Sequence, residues 1–397
     1  MDNQRLSNII CGTLLSLLLM VPVTSISEDR VPAENIEEFV EVFKRIKEQY
    51  VDVIEDEKLF DMAIKGMVSG LDPHSSYLSQ DEFNELKIGT TGKFGGLGIE
   101  ITTEDSFVKV IAPIDDTPAQ RIGIKAGDLI IDVGGTSLKD LPISDAVKLM
   151  RGEPGTSVEI TVLRKKAKEP LKFNITREII ISKGVKSYLF KQDIGYVRLS
   201  NFQSNSTNDV KDAIYDLSRK SSNQMRGLVI DLRNNPGGVL GTAVGISDLF
   251  LTEGKIVYTK GRTYKSRLEY FASPQDITDG LPLVILINEG SASASEIVAG
   301  ALQDHDRAVI MGTKSYGKAS VQTIQELNDG SALKLTTARY FTPLGNDIHE
   351  NGIQPDIVID ILAEKEKMVN LPKPYDTDNQ LFQAIKHLNN TKVSDNN

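Results

Sequence analysis

Strand-like and helix-like stretches alternate over residues 184–362, and this alternation restricts the fold more than any other feature of the sequence. The strand-like stretches are short and apolar, as in "GLVIDL" and "LPLVILIN". Between the strands, "NDVKDAIYDLSRK" places apolar residues on one helical face: Val210, Ala213, Ile214 and Leu217. Such alternation is typical of an α/β fold with a largely parallel sheet, so we predict an α/β core over residues 183–362.

The segments on either side of this core have other patterns. Residues 89–182 combine short strands with glycine-rich turns, as in "GKFGGLGIEI", and predict a small, mostly β domain inserted ahead of the core. Amphipathic patterns predict helical segments at residues 32–88 and in the tail, residues 363–397. We expect the N-terminal helices to pack together or against a second copy of the chain, and so to form a homo-oligomer.

Residues 1–26 are typical of a secretory signal peptide, because Arg5 precedes an apolar run from about Ile9 to Val23. An uncleaved membrane anchor is the alternative. Either interpretation predicts an exported protein, periplasmic or otherwise extracytoplasmic. The only cysteine, Cys11, lies in this segment, so a cleaved protein has no thiol for catalysis, disulfide formation or metal binding.

Charge and histidine content argue against several functions. The chain has 45 Lys and Arg against 55 Asp and Glu, a net charge of -10, and it has no basic run. We therefore expect no nucleic-acid binding. Its four histidines lack the H-E-x-x-H spacing of zinc hydrolases, so we expect neither a metal nor another cofactor.

The stretch "GTKSYGKASVQ" comes within one residue of the phosphate-binding pattern G-x-x-x-x-G-K-[ST], with Gly312, Gly317 and Lys318 in place. Position 319 is Ala, which has no hydroxyl for Mg²⁺. The following "SVQTIQEL" predicts a strand and a hairpin, whereas a phosphate loop opens a helix. These features disfavour a nucleotide site.

Two loops that follow core strands are the best candidates for chemistry. "RNNPGG" contains Gly237 and Gly238, whose backbone can approach a ligand closely. In "EGSASASE", Ser293 begins a predicted helix, where free N–H groups favour an oxyanion. Ser293 and Glu296 also match a capping box, and spacing alone leaves capping and catalysis equally open. A serine nucleophile needs a base, and Lys318 is a candidate only if burial lowers its pKa; a lysine at a strand edge is more often solvated.

The stretch "GSASASEIVAGALQDHDRAVIMGTKSYGKASVQ" resembles the serine/lysine protease core of the carboxyl-terminal processing protease (tail-specific protease) family. The resemblance extends over most of the chain. "GMVSGLDPHSSYLSQDEF" is similar to the family's helical segment before its PDZ domain, "GKFGGLGIEI" to "LMRGEPGTSVEITVLR" to that PDZ domain, and "LVIDLRNNPGGVL" to its glycine loop. The resemblance implies an α/β protease core with an inserted PDZ domain.

The same resemblance implies roles for individual residues. Ser293 falls at the nucleophile, Lys318 at the general base, and Gln322 at the position that orients the lysine. The amides of Gly238 and Ala294 fall at the oxyanion hole. The positions that would bind a substrate's terminal carboxylate are Gly96, Leu97, Gly98 and Ile99.

The implied activity is that of a serine endopeptidase that binds unstructured C-termini and cleaves through an acyl-enzyme. A non-catalytic PDZ adaptor is the alternative. Arg151, after the PDZ helix, either couples that domain to the active site or is an ordinary charge at a helix end. Ala319 stands where the family usually has glycine. The implied partners are unfolded or tail-exposed protein substrates and an adaptor protein.

Overall fold

The computed structural model describes residues 32–391 except residues 105, 166, 183, 192, 222, 223 and 361–370. The predicted signal peptide, residues 1–26, lies outside the described residues, as does Cys11. The chain divides into two units, Met1–Met67 and Val68–Asn397. Among the helices of the described residues, none has both the length and the apolar character needed to cross a bilayer.

The helices are, in chain order, α1 (Ala33–Gln49), α2 (Asp56–Ser69), α3 (Gln80–Thr91), α4 (Pro118–Ile122), α5 (Ile143–Met150), α6 (Ser206–Lys220), α7 (Leu240–Asp248), α8 (Ala294–Asp304) and α9 (Asn379–Asn390). The strands are β1 (Ser76–Leu78), β2 (Lys93–Gly96), β3 (Ile99–Glu104), β4 (Phe107–Pro113), β5 (Leu129–Val133), β6 (Thr136–Ser137), β7 (Ser157–Leu163), β8 (Leu171–Thr176), β9 (Glu178–Ile181), β10 (Val185–Phe190), β11 (Ile194–Leu199), β12 (Gly227–Asp231), β13 (Lys255–Gly261), β14 (Glu269–Phe271), β15 (Leu283–Ile287), β16 (Val309–Gly312), β17 (Ser320–Glu326), β18 (Ala332–Phe341) and β19 (Ile357–Val358).

The first unit contains α1 and most of α2. The rings of Phe43 and Phe60, one from each helix, lie 4.6 Å apart between centroids. α1 nevertheless has no buried residue. Four of its apolar side chains are 42–51% exposed, namely Ile36, Phe39, Val40 and Val42.

The mostly β domain predicted over residues 89–182 is formed as a sheet of order β3-β4-β5-β7-β8, with β6 paired to β5. Its core includes Val110, Ile130 and Ile160, and Ala146 and Met150 of α5 pack into the same cluster. β3 is the edge strand of this sheet. β2 and β9 form a separate antiparallel pair at the two ends of the insertion.

The predicted α/β core is also formed. Its sheet has the order β10-β11-β12-β15-β16-β19, and every pair from β11 to β19 is parallel. α6, α7 and α8 pack with one face of this sheet in one apolar cluster. α9 packs in a second cluster with residues of β12 and β15 that point to the other face, such as Val229 and Val284. Because β12 and β15 are neighbours, the loops that follow them lie side by side.

A second, antiparallel sheet completes the core, with order β1-β18-β13-β14 and β17 paired with β18. β17 and β18 are the hairpin predicted after Lys318, and no helix opens there. The phosphate-loop interpretation is therefore wrong, as its sequence context indicated. β1, which lies within the segment predicted as helical, pairs with β18 at Ser76 and Lys334.

Candidate active site

The glycine loop after β12 is held against the loop after β15 by buried amide groups. Asn235 has no exposed surface, and its side-chain Nδ2 donates to the Leu199 carbonyl at 2.8 Å. The backbone carbonyl of Asn235 accepts from Ala292 N at 3.0 Å. A Cβ on Gly237 would lie 2.8 Å from the Ser293 Cβ. Glycine is therefore required there if the loop is to contact the serine turn.

Ser293 has a backbone conformation that side chains rarely adopt, with φ 56° and ψ -114°. Such a conformation costs about 1–3 kcal/mol and persists only where the surroundings enforce it. α8 begins at the next residue, so the strained turn presents Ser293 at the N-terminus of a helix. The sequence contains no G-x-S-x-G elbow, and only the structure reveals this strain.

Glu296 is the residue that joins the serine turn to the lysine loop, and it is fully buried. One carboxylate oxygen accepts from Ser293 N at 2.7 Å and from Lys318 N at 2.9 Å. The other accepts from Ser315 Oγ and Gly317 N, both at 2.6 Å. The predicted capping box between Ser293 and Glu296 is thus formed, and the Glu296 N–H also donates to the Ser293 carbonyl at 2.9 Å. Capping and positioning are therefore served by the same carboxylate.

Tyr340, from β18, makes a second link between the two loops. Its hydroxyl donates to the Lys318 carbonyl and lies 3.1 Å from the Ser293 carbonyl. Burial and the nearby Glu296 carboxylate raise the pKa of the Tyr340 hydroxyl well above its usual value, so it stays a donor. Sequence analysis identified neither this tyrosine nor the wider role of Glu296.

Lys318 is half-buried, and burial lowers its pKa, which is the condition for a lysine to act as a base. Desolvation lowers the pKa of its amine from the usual value, and the neighbouring Lys334 lowers this pKa further, against the opposing charges of Asp72 and Glu296. Ala319, which follows it, is fully buried in the core. A lowered pKa makes more of the neutral amine available near neutral pH.

Gln322 lies two residues into β17 and is fixed by two hydroxyl groups. Its Nε2 donates to Ser320 Oγ at 2.9 Å and to Thr336 Oγ1 at 3.3 Å. Thr336 Oγ1 in turn donates to Asp72 at 3.1 Å. Within the described residues, neither Ser293 Oγ nor Gln322 is hydrogen-bonded to the Lys318 amine. Such bonds commonly shorten only when substrate binds.

The amides predicted to form an oxyanion hole are both free to donate. Ala294 N is at the first position of α8, where an N–H has no partner within the helix. Across the described residues, the N–H groups of Gly238 and Ala294 donate to no protein oxygen. A Cβ on Gly238 would lie 2.2 Å from the Phe202 carbonyl oxygen, so this position also needs glycine.

All five predicted residues of the protease site line one cleft of about 630 Å³, namely Gly238, Ser293, Ala294, Lys318 and Gln322. Helix α3 forms another part of its wall through Phe83, Leu86, Lys87 and Thr90. In the described residues, no group of three or more His, Cys, Asp or Glu side chains is placed to hold a metal ion. Hydroxyl groups, lysine amines and the free amides of Gly238 and Ala294 are among the polar groups that line the cleft.

Comparisons with known proteins match three parts of the chain to protein families. Residues 193–359 match the model of peptidase family S41, residues 109–164 match a PDZ domain, and residues 22–82 match the N-terminal domain of the activating protease CtpB. A carboxy-terminal-processing protease of Bartonella bacilliformis is 45% identical over 362 residues, 90% of this chain and 83% of that protein. The chain belongs to the carboxy-terminal processing protease family. It is accordingly a serine-type peptidase with a PDZ domain.

A second relative belongs to the same family. A carboxyl-terminal-processing protease of Synechocystis sp. is 37% identical over 305 residues, 75% of this chain and 70% of that protein. Among solved structures, the photosystem II D1 C-terminal processing protease is 31% identical, covers 83% of this chain and 94% of its own, and has a TM-score of 0.48.

In this protease, the predicted carboxylate-binding residues form the loop between β2 and β3. The carbonyls of Leu97 and Gly98 accept bonds from Ala119 N and Ile114 N at 3.0 and 2.9 Å, so they point into the domain. The N–H groups of Leu97 and Gly98 donate to no oxygen of the described residues. Gly98 has φ 79°, and a Cβ there would lie 2.2 Å from the Thr117 Cβ. The loop thus presents two free amides beside the edge strand β3.

Arg151, at the end of the protease's PDZ helix α5, reaches out of the PDZ domain. Its Nη1 donates to both carboxylate oxygens of Glu85 on α3, at 2.7 and 2.8 Å. Its guanidinium also lies 4.7 Å from the ring centroid of Phe94. Arg151 therefore connects the PDZ domain to the helix that forms part of the cleft wall.

Proposed function

We propose that the protein is a serine endopeptidase that cleaves protein substrates through a dyad of Ser293 and Lys318. The observation that carries the proposal is the shared cleft, where a strained serine turn, a partly desolvated lysine and two unpaired amides meet. Each of these features is costly for a chain to maintain, and together they match the needs of acyl transfer.

The reaction follows from the chemistry of these groups. Ser293 Oγ attacks the scissile carbonyl carbon while the neutral Lys318 amine takes its proton. The carbonyl oxygen becomes an oxyanion that the amides of Gly238 and Ala294 receive. Lys318 then gives the proton to the leaving amine, and an acyl-enzyme remains on Ser293. Water attacks this ester with Lys318 again as the base, and the product acid leaves.

Gln322 serves in this proposal to orient the lysine. Because its Nε2 is engaged by Ser320 and Thr336, its carbonyl oxygen is left to accept from the Lys318 amine. An acceptor at that point holds the amine toward the serine.

The PDZ domain supplies substrate recognition in the same proposal. A terminal carboxylate would accept bonds from the free amides of the Gly96–Ile99 loop, and the preceding residues of the substrate would add a strand to β3. The substrates are therefore unfolded or tail-exposed proteins. We further propose export from the cytoplasm under the signal formed by residues 1–26, and assembly through the helical termini; an adaptor protein is a further candidate partner.

The dyad is tested by measuring cleavage of an unfolded polypeptide by Ser293→Ala, Lys318→Ala and the double variant. Each single variant should lose activity by a factor on the order of 10³ or more, and the double variant should lose no more, because the pair acts as a unit. Lys314→Ala is the control, since Lys314 is exposed four residues earlier in the same loop. Retained turnover in Lys318→Ala, with loss in His349→Ala, would assign the base to His349, whose Nδ1 is buried with no hydrogen-bond partner among the described residues. Peptide binding without any cleavage by the wild type would support the adaptor alternative.

Tail recognition is tested by titrating one apolar-ended peptide, as free acid and as amide, against full-length Ser293→Ala. The amide should bind more weakly by about 1.5–3 kcal/mol if it loses one charge-assisted hydrogen bond. Equal affinity for the two peptides would remove carboxylate recognition from the proposal and leave the dyad untouched.

A further inference from the structure

The cleft contains a second half-buried lysine besides Lys318. Lys334 lies on β18 opposite Ile324 of β17, the strand that begins two residues after Lys318. It lines the cleft together with Ser293 and Lys318. In the part of the chain that the structure describes, the side chain of Lys334 forms no hydrogen bond and no ion pair. Lys87, by contrast, has Glu326 at 3.5 Å.

The charged groups near Lys318 differ in how far hydrogen bonds and ion pairs already satisfy them. The charge of Lys334 lowers the pKa of the Lys318 amine, and the charges of Asp72 and Glu296 raise it. Lys318 and Lys334 both lower the pKa of the His74 imidazole. Asp72 accepts bonds from the backbone N–H groups of His74 and Ser75 and from two hydroxyls, so its carboxylate is committed to the turn after α2. Glu296 is similarly occupied by four donors. Within the described residues, the Lys334 side chain has no hydrogen-bond or ion-pair partner, and Glu326, the acidic residue that lines the same cleft, is paired with Lys87.

We propose that Lys334 is a positioning residue for the reaction, whose ammonium group disfavours a second positive charge in the cleft and so keeps Lys318 in the neutral form that accepts the serine proton. The inference rests on the proposed function, in which Lys318 is the general base. Two cations in a partly desolvated cleft repel more strongly than in water.

The pH dependence of kcat/KM distinguishes this positioning role of Lys334 from a structural role and from a role in substrate binding. The substrate is an internally quenched peptide without charged side chains and with an amidated C-terminus. With Lys334→Met, the rising limb of the profile should move to higher pH, so that kcat/KM falls by about threefold to tenfold below the midpoint and approaches the wild-type value on the alkaline plateau. Lys334→Arg, which keeps the charge, should retain the wild-type midpoint. Lys314→Met, which removes an exposed charge from the loop that carries Lys318, should leave the midpoint in place.

Two outcomes would overturn the inference. An unchanged midpoint with a uniform loss at every pH would indicate a structural role for Lys334. A rise in KM confined to a matched substrate with an acidic residue, again with an unchanged midpoint, would make Lys334 a binding group for substrate carboxylates. Lys318→Ala is measured in parallel: if it keeps turnover, the proposed dyad fails, whereas an inactive Lys318→Ala beside an unshifted Lys334→Met overturns the inference alone.

Discussion

Glu296 shows how one side chain can set the geometry between two catalytic candidates. Its carboxylate accepts from the backbone amides of Ser293 and Lys318, so the two residues share one anchor although they are 25 positions apart in the sequence. Because the carboxylate accepts only, it suits a site where every neighbour is a donor. The strained turn at Ser293 is enforced by this contact.

We predict that Glu296→Gln reduces both stability and activity. The amide group puts a donor where the carboxylate had an acceptor, so at least one of the four donors loses its partner in a fully buried place. The loss of stability should be about 2–4 kcal/mol, and kcat should fall by a factor on the order of 10² as the serine shifts. Thermal denaturation and steady-state kinetics measure the two effects. Glu289→Gln is the matched control, because Glu289 is exposed in the loop before Ser293; an equal effect there would refute the anchoring role.

At this scale the sequence indicated the candidate catalytic residues but not the residues that hold them in place. Ser293 and Lys318 were found from a helix start, a buried turn and the resemblance to a family. Tyr340 was missed because a tyrosine within a strand pattern carries no sign of where its hydroxyl points. The part of Glu296 beyond capping was missed because its other partners, Gly317 and Lys318, come from a distant loop that only the fold brings near.

The C-terminal helix α9 is joined to the start of the glycine loop by charged groups. Asp378, the N-cap of α9, accepts from Leu381 N at 3.0 Å and from Arg233 Nη2 at 2.7 Å. Arg233 also binds the fully buried Asp231 at the end of β12 through its Nε and Nη2. Burial raises the cost of leaving any of these charges unpaired. The helix therefore supports the strand end from which the glycine loop departs.

We predict that Asp378→Ala lowers stability by about 2–4 kcal/mol, since it removes an N-cap and half of the pairing of a buried arginine. It should also lower kcat, because Arg233 lies in the glycine loop, four residues before Gly237. Asp376→Ala is the control, because Asp376 forms no hydrogen bond or ion pair within the described residues. Chemical denaturation followed by activity assays would show the difference. Equal stability and equal kcat in Asp378→Ala and Asp376→Ala would mean that α9 does not support the glycine loop.

The local spacing of apolar residues predicted where helices and strands lie better than it predicted which strands pair. The strands ending at Asp231 and Ile287 and the helix from Ala294 are where apolar spacing placed them. β1, however, is only three residues long, and it is a strand because β18 offers it an edge. Such a segment has no periodicity of its own, and its conformation is decided by a partner more than 250 residues later in the chain.

On the scale of the whole molecule, the pair formed by Arg151 and Glu85 is a direct link between the PDZ domain and the helix that lines the cleft. Glu85 lies on α3, and Phe83 and Leu86 of the same helix form part of the cleft wall. Within the described residues, the Nε of Arg151 is buried without a hydrogen-bond partner, so only part of the guanidinium is hydrogen-bonded in this position. A link of this kind can shift when a peptide binds beside α5.

We predict that Arg151→Ala and Glu85→Ala each reduce the preference for substrates with a free, apolar C-terminus. The reason is that peptide binding at the PDZ loop can no longer bias the position of α3. The measurement is kcat/KM for a tailed protein substrate relative to a short amidated peptide, in a double-mutant cycle. The two residues should couple by about 0.5–3 kcal/mol in this ratio. Arg121→Ala is the matched control, because Arg121 pairs with Glu178 between elements of the insertion and touches no part of the cleft wall. Additive effects of Arg151→Ala and Glu85→Ala, or an equal effect of Arg121→Ala, would show that the pair only fastens one domain to another.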